Sequence, residues 1–182
     1  AFKPINTLPY ARVNKSGEIE FISLCRTKSS NEIKILPFKE NIKVGLLKTH
    51  TNMFLEEFKV YREFDGLIIE STGLGRIPIN EIDEFTKEHT KIFNEIKTLA
   101  KKMPVVITTQ TIYGAVHLNS CSTGRRLIEA GVLGDFTDMA AETAFIKLAW
   151  LLSNFKSKEV SELMIKNLRG EISKNIYYNN IL

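Results

Sequence analysis

The sequence predicts an α/β domain: a parallel sheet of about four strands with helices on both faces, preceded by a β-hairpin arm. Three observations point there. Short continuous apolar runs at residues 43–48, 66–70 and 105–109 read as strands buried on both faces. Segments with apolar residues at three-to-four spacing separate these runs, and such alternation implies parallel strands joined by helical crossovers. Each run ends in a polar loop, where sheets of this kind carry their ligand sites.

Composition fits a globular domain. The 182 residues are enough for a real core, and 43% hydrophobic with 25% charged residues are ordinary values. A net charge of +4 and a pI near 9.0 come from dispersed lysines, which read as a solvated surface. No aromatic interleaving suggests stacking on single-stranded nucleic acid. The two cysteines, Cys25 and Cys121, have no metal spacing and suit a reducing compartment. No apolar run approaches the ~20 residues of a membrane span, so no membrane contact is expected. The chain opens at Ala1 without an initiator Met, and is read as a piece of a longer polypeptide.

In order along the chain, residues 1–9 carry two prolines and read as an incoming connection. Residues 10–13 and 18–22 flank Asn14-Lys15-Ser16-Gly17, a hairpin signal. Residues 26–32 read as loop, and 33–38 as a Pro-broken edge segment. Strand 43–48 follows, then a turn and a helix within 49–62 carrying Phe54, Leu55, Phe58 and Tyr61. After strand 66–70 comes Ser71-Thr72-Gly73-Leu74-Gly75. A long helix is predicted over 81–102, capped by Asn80, with Ile82, Phe85, Ile92, Phe93, Ile96 and Leu99 inward. Strand 105–109 leads through a polar loop to a helix over 123–130, closed by Gly131, and residues 131–134 suggest a fourth short strand. Asp138 is expected to cap a helix over 139–153. A last helix over 159–168 presents Val160, Leu163, Met164 and Leu168 and stops at Gly170. The tail beyond Ile176 has no assigned role.

Several signals touch chemistry without completing a site. Thr72-Gly73-Leu74-Gly75 lets backbone N–H groups approach an anion. Pro78 stands where a dinucleotide fingerprint needs glycine, however, and no Gly-Lys-Ser/Thr follows. A tight turn shaping a small-molecule pocket is the plainer reading. His117 and Cys121 lie four apart, a spacing common by chance for a nucleophile and base. His50 and His89 are single, which gives no metal set. Thr108, Thr109 and Thr111 cluster at a strand end and read first as β-branched strand residues. Arg125 and Arg126 open a helix, where cations oppose the dipole, and read as an exposed pair.

Beyond these signals, a collinear set of stretches resembles the carboxyl-terminal half of the asparaginase/glutaminase family, type I cytosolic kind. They are Ala1-Phe2-Lys3-Pro4-Ile5-Asn6, Asp65 with Gly66-Leu67-Ile68-Ile69-Glu70-Ser71-Thr72-Gly73-Leu74-Gly75, and Pro104-Val105-Val106-Ile107-Thr108-Thr109-Gln110. Tyr113-Gly114, Ser122-Thr123-Gly124-Arg125-Arg126-Leu127, Asp138-Met139 through Trp150-Leu151-Leu152, and Asn167-Leu168-Arg169-Gly170-Glu171-Ile172 complete the set. Within the family the wording is nearest to the GatD branch, the amidase subunits of archaeal glutamyl-tRNA(Gln) amidotransferases. That resemblance implies an amidohydrolase releasing ammonia from Gln or Asn. A GatE-like partner subunit, which holds ATP and Mg²⁺, uses the ammonia to convert Glu-tRNA(Gln) to Gln-tRNA(Gln).

The family's catalytic Thr, Asp and Lys belong to its amino-terminal half. Their motifs, Thr-Gly-Gly-Thr-Ile and Gly-Thr-Asp, are absent from this sequence. The resemblance therefore implies residues 1–40 as hairpin arm and inter-domain linker, and 41–182 as the carboxyl-terminal domain. It implies no catalytic residue, no metal and no cofactor in this chain, which alone is expected to be inactive. It further implies a cytoplasmic homodimer with its own amino-terminal amidase half, and tRNA reached only indirectly. Gly73, Leu74, Gly75 and Asn119 are the expected substrate-proximal residues. Leu74 stands where secreted relatives place Asn, and Asn119 near where they place an acid; Asn119 still offers a donor and an acceptor to an amide. Two alternatives share these residues: the same half of a free-standing type I L-asparaginase, and a non-catalytic α/β binding or dimerisation module.

Overall fold

A computed structural model describes residues 3–25 and 27–173. Ala1, Phe2, Arg26 and residues 174–182, with them the tail beyond Ile176, lie outside the described residues. In chain order the elements are β1 (Ala11–Val13), β2 (Ile19–Phe21), β3 (Val44–Lys48), α1 (Leu55–Lys59), β4 (Gly66–Ser71), α2 (Glu88–Lys102), β5 (Val105–Thr109), α3 (Ser122–Glu129), α4 (Ala141–Asn154) and α5 (Ser157–Met164).

The three apolar runs form a parallel sheet in the order β3-β4-β5, with Leu46 opposite Ile68 and Ile68 opposite Val106. Side chains alternate across a strand. Leu47, Leu67, Ile69, Val105 and Ile107 therefore face one layer, where they meet Phe58 of α1, Ile92, Ile96 and Leu99 of α2, and Leu127 of α3. Ile68 and Val106 face the other, against Ala144, Leu148 and Leu151 of α4 and Val160 and Met164 of α5. Each large buried side chain stabilises the fold by about 1.5–3 kcal/mol, so the sheet is held from both faces.

The fourth strand is reduced to one bridge. Ile107 N–H donates to Leu133 O and Leu133 N–H to Val105 O, both at 2.8 Å. Gly134 then turns away at φ +111°, and a Cβ there would stand 2.3 Å from Ile107 O.

Four helix expectations are corrected. The helix predicted from residue 81 starts at Glu88. Asp83 Oδ1 accepts the N–H groups of Phe85 and Thr86 at 3.0 Å and holds a separate 3₁₀ turn, Glu84–Thr86. A strong local cap thus overrides the apolar spacing, and Ile82 and Phe85 lie 82% and 86% exposed. Asn80 is no cap either: its amide donates to Thr123 Oγ1 and accepts from Arg126. Asp138 does not cap α4, which starts at Ala141, but accepts Ser173 N–H at 2.9 Å. The last helix spans Ser157–Met164 rather than 159–168. Residues 33–38 form no strand; their carbonyls serve α4, with Trp150 Nε1 donating to Leu36 O and Asn154 to Pro37 O.

Below α4, Lys147 is buried and pairs with Glu171 at 2.7 Å. Burial works to raise the Glu171 pKa, but Lys147 and the amides of Leu168 and Arg169 outweigh it and hold it at about 2, against the usual 4.5. Burial pushes the Lys147 ammonium down from its ordinary value, and Glu171 offsets part of that.

This packing sets two expectations for stability. Gly134→Ala should lower it by about 2–4 kcal/mol, from the left-handed backbone and the clash with Ile107 O; thermal unfolding reads it. The folded-state pKa of Glu171, about 2, lies below its unfolded value, so its contribution is complete above pH ~4.5 and is lost as pH falls towards ~2, in all about 3 kcal/mol. Denaturant titrations across pH 2–7 should show that slope. Glu171→Gln should remove it and destabilise the chain at pH 7, since Lys147 loses its counter-charge.

Candidate functional site

The carboxyl ends of β3, β4 and β5 open onto residues 49–54, 72–76 and 110–121. A parallel strand's last carbonyls have no following partner and must be satisfied by other groups. Gln110 does this: its Nε2 donates to Thr49 O at 2.6 Å and to Glu70 O at 3.1 Å, while its N–H donates to Ser71 O at 2.8 Å. One side chain thereby ties the ends of all three strands.

The glycine turn is equally fixed. Arg76 N–H donates to Thr72 O at 2.8 Å and Thr72 N–H to Arg76 O at 3.0 Å. Gly75 sits at φ +106°, and a Cβ there would come within 2.7 Å of Leu118. Thr109 Oγ1 donates to Gly73 O, and His117 N–H to Leu74 O at 2.9 Å. The turn around Gly73, Leu74 and Gly75 and the long loop after β5 therefore form one unit. Asn119 lies on that unit, exposed. Its Nδ2 donates to Asp135 Oδ2 at 3.2 Å, and Asp135 Oδ1 accepts Leu118 N–H at 2.7 Å.

Asn6 adds a second clasp. It is buried, with φ +57°, and exchanges two hydrogen bonds with Gly114: Nδ2 to Gly114 O at 2.9 Å and Gly114 N–H to Oδ1 at 2.8 Å. Ser173 Oγ donates to Asn6 O at 3.3 Å. This residue joins the incoming segment to the loop after β5 and to the end of the domain. A cavity of about 200 Å³ lies beside it, between Thr109, Gln110, Thr111, Glu70 and the start of α4. A larger groove of about 910 Å³ runs between residues 5–10, Ser23, the start of α4 and the 167–173 turn. Gly73, Leu74, Gly75 and Asn119 line neither.

The remaining signals resolve into structural contacts. Cys121 Sγ accepts Gly124 N–H at 3.5 Å as the cap of α3. Burial works to raise its thiol pKa, but the Gly124 amide, Arg76 and Thr123 bring it below the usual value. The His117 ring packs edge-on against Phe136 at 4.8 Å, so the two groups are engaged separately. His50 pairs with Glu57 and His89 with Asn80 O, each at 2.9 Å. Thr108 is buried with its hydroxyl unpartnered, and Thr109 shares its hydroxyl with Thr111 at 2.7 Å. Arg126 corrects the expectation of an exposed pair: it lies 4.1 Å over the Phe93 ring and donates to Ile79 O and Asn80 Oδ1. Arg125 is exposed and donates to Asn119 O at 3.1 Å. Gln110 and Asn6 carry the geometry, yet nothing in their spacing marks them, because their partners lie far along the chain.

Fold and loops define an α/β domain that presents braced loops at the carboxyl edge of a parallel sheet. The glutaminase/asparaginase C-terminal domain family matches residues 43–164, and the chain belongs to that family. The glutamyl-tRNA(Gln) amidotransferase D subunit of Pyrococcus abyssi is 35% identical over 100% of this chain and 40% of its own length. Its counterpart in Methanococcus maripaludis strain C6 is 37% identical over 97% of the chain and 41% of its own. The chain thus spans about two fifths of the length of these relatives. Among solved structures, the thermostable L-asparaginase of Thermococcus kodakarensis superimposes with TM-score 0.78 at 28% identity, and L-asparaginase I of Vibrio cholerae with 0.78 at 27%. Each comparison covers 95% of this chain and 50% of the other. No helix among the described residues is long and apolar enough to cross a membrane.

Replacing Gln110 with Leu removes the donor to the Thr49 carbonyl and one of the two to the Glu70 carbonyl, which keeps the N–H of Thr49 at 2.9 Å. A loss of about 1–2 kcal/mol is expected, read as a lower urea midpoint with unchanged slope.

Proposed function

We propose that this chain is the carboxyl-terminal portion of a GatD-like amidohydrolase subunit. The whole protein hydrolyses Gln or Asn and supplies the ammonia that turns Glu-tRNA(Gln) into Gln-tRNA(Gln). The observation that carries this reading is the similarity to the amidotransferase D subunits along nearly the entire chain, at 35–37% identity. Residues 1–40 act as arm and connection, and 41–182 as the domain proper; the start of the family match at residue 43 supports that division. The chain contributes no catalytic group of its own. In support, the hydroxyls of Thr109 and Thr111 are spent on each other and on Gly73 O.

In this reading Gly73, Leu74, Gly75 and Asn119 stand near the substrate, in a pocket made reactive by the amino-terminal half or by a neighbouring subunit of a homodimer. The bond between His117 N–H and Leu74 O makes the two loops a single wall, which suits that role. ATP and Mg²⁺ belong to a GatE-like partner, tRNA is reached through it, and the assembly is cytoplasmic. A second reading, part of a free-standing L-asparaginase, draws on the likeness to the Thermococcus enzyme.

Assays of the purified chain separate these roles. Alone it should turn over neither glutamine nor asparagine. Joined to the amino-terminal part of the Pyrococcus abyssi relative it should hydrolyse an amide, and with a GatE-like partner it should amidate Glu-tRNA(Gln). Turnover by the isolated chain that survives repeated purification would sink the proposal.

A further inference from the structure

The turn after Leu133 carries backbone strain that packing does not offset. Gly134 stands at φ +111° and Phe136 at φ +60°, the left-handed region that a bulky side chain rarely adopts. Phe136 is 63% exposed, and its ring meets the His117 ring edge-on, so burial stabilises it little. The conformation is nevertheless pinned. Phe136 N–H donates to Val116 O at 3.0 Å, Val116 N–H to Thr137 O at 2.9 Å, and the Thr137 hydroxyl to Gly134 O at 2.7 Å. The residue held between the two left-handed positions is Asp135. Strain kept where it does not serve packing points to a side chain that has to be placed.

Asp135 puts both of its oxygens on the loop after β5. Oδ1 accepts Leu118 N–H at 2.7 Å and so caps the 3₁₀ turn Leu118–Ser120, for which His117 supplies no side-chain cap. Oδ2 accepts from the Asn119 side-chain amide at 3.2 Å. Arg125 holds the same residue by its backbone, donating to Asn119 O at 3.1 Å. A carboxylate only accepts, so Asn119 has to turn its NH₂ toward Asp135. Its Oδ1 is then turned away from that partner, on a residue that is exposed. An isolated surface asparagine flips freely between donor and acceptor. This one is oriented.

We propose that Asp135 is a positioning residue for substrate recognition: it fixes Asn119 with Oδ1 outward, as the acceptor for an N–H group of the amino-acid amide. This inference rests on the reading given under Proposed function, and adds to it the direction of one hydrogen bond. The strained turn, the 3₁₀ turn and the Asn119 amide then form one device, with Asp135 as its centre. A contact of this kind serves substrate and transition state alike, so its loss shows in KM and not in kcat. An amino-acid amide carries two donors of this chemistry, its ammonium and its carboxamide.

The test is made in the full-length enzyme that contains this chain. Asp135→Asn keeps an oxygen for Leu118 N–H but brings an NH₂ to Asn119, which then reverses and shows its own NH₂ outward. KM for glutamine should rise about tenfold with kcat changed less than about twofold, as for one lost hydrogen bond that binds uniformly. Asn119→Ala should give a similar loss. The double variant should lose no more than either single one, because the two residues act as a unit. Asp135→Glu, which still only accepts, should recover part of the loss. Among competitive inhibitors, glutamate keeps only the ammonium and glutaramate only the carboxamide, and the one that Asp135→Asn weakens identifies the donor. Additive losses in the double variant, a fall confined to kcat, or both inhibitors unchanged would each overturn the proposal. Absence of amide hydrolysis in the unaltered enzyme defeats the functional reading and this proposal with it. Hydrolysis with a KM indifferent to Asp135→Asn defeats the positioning role alone.

Discussion

A parallel sheet that stops must do something with its final carbonyls, and here one amide side chain answers that need. Gln110 reaches across β4 to Thr49 O and Glu70 O while its own backbone continues the ladder to Ser71. Every loop at this edge starts from a point it has fixed. The glycine turn after β4 can then be bonded to the loop after β5, through Gly73 and Leu74, without either being free to drift. Preorganisation of this kind suits a domain that walls a pocket, because a loop already ordered loses less entropy when ligand arrives.

The same logic extends to the ends of the chain. Asn6 adopts a left-handed backbone that few residues tolerate, and Asn is among those that do. Its side chain imitates a strand partner for Gly114, at a sequence separation of 108 residues. Lys147 and Glu171 brace the other side of the domain beneath α4. Among the described residues, the apolar face of the hairpin and the approach to α2 lack such bracing. Only the first of these is ordered by strand pairing, which is why it presents a surface rather than a loop.

How much of this is legible in the sequence depends on the range of the interaction. The three sheet strands are plain because burial on both faces demands unbroken apolar runs, and Leu67, Ile68 and Ile69 supply one. The hairpin is plain because Asn14 and Gly17 are local turn chemistry: Asn14 Oδ1 accepts from Ser16 and Glu18. The start of α2 defies its periodicity because Ile82 and Phe85 keep helical spacing while Asp83 favours a cap, and the cap wins. The predicted fourth strand shrinks to Leu133 because Gly134 leaves the ladder at once. Gly73, Leu74 and Gly75 are visible as a motif, but the bonds from Gln110, Asn6 and Arg126 that hold the edge are not. Each joins residues dozens of positions apart, where periodicity carries no information.

The central claim is that this chain is the structural half of an amidohydrolase whose reactive groups lie outside it. Peptide mapping after treatment with a glutamine-mimicking electrophile tests that claim most directly. The account predicts no adduct on the chain alone, and in the assembly with the amino-terminal half an adduct on a threonine of that half only. An adduct on Thr108, Thr109 or Cys121 of this chain, formed in isolation and blocked by glutamine, would contradict it.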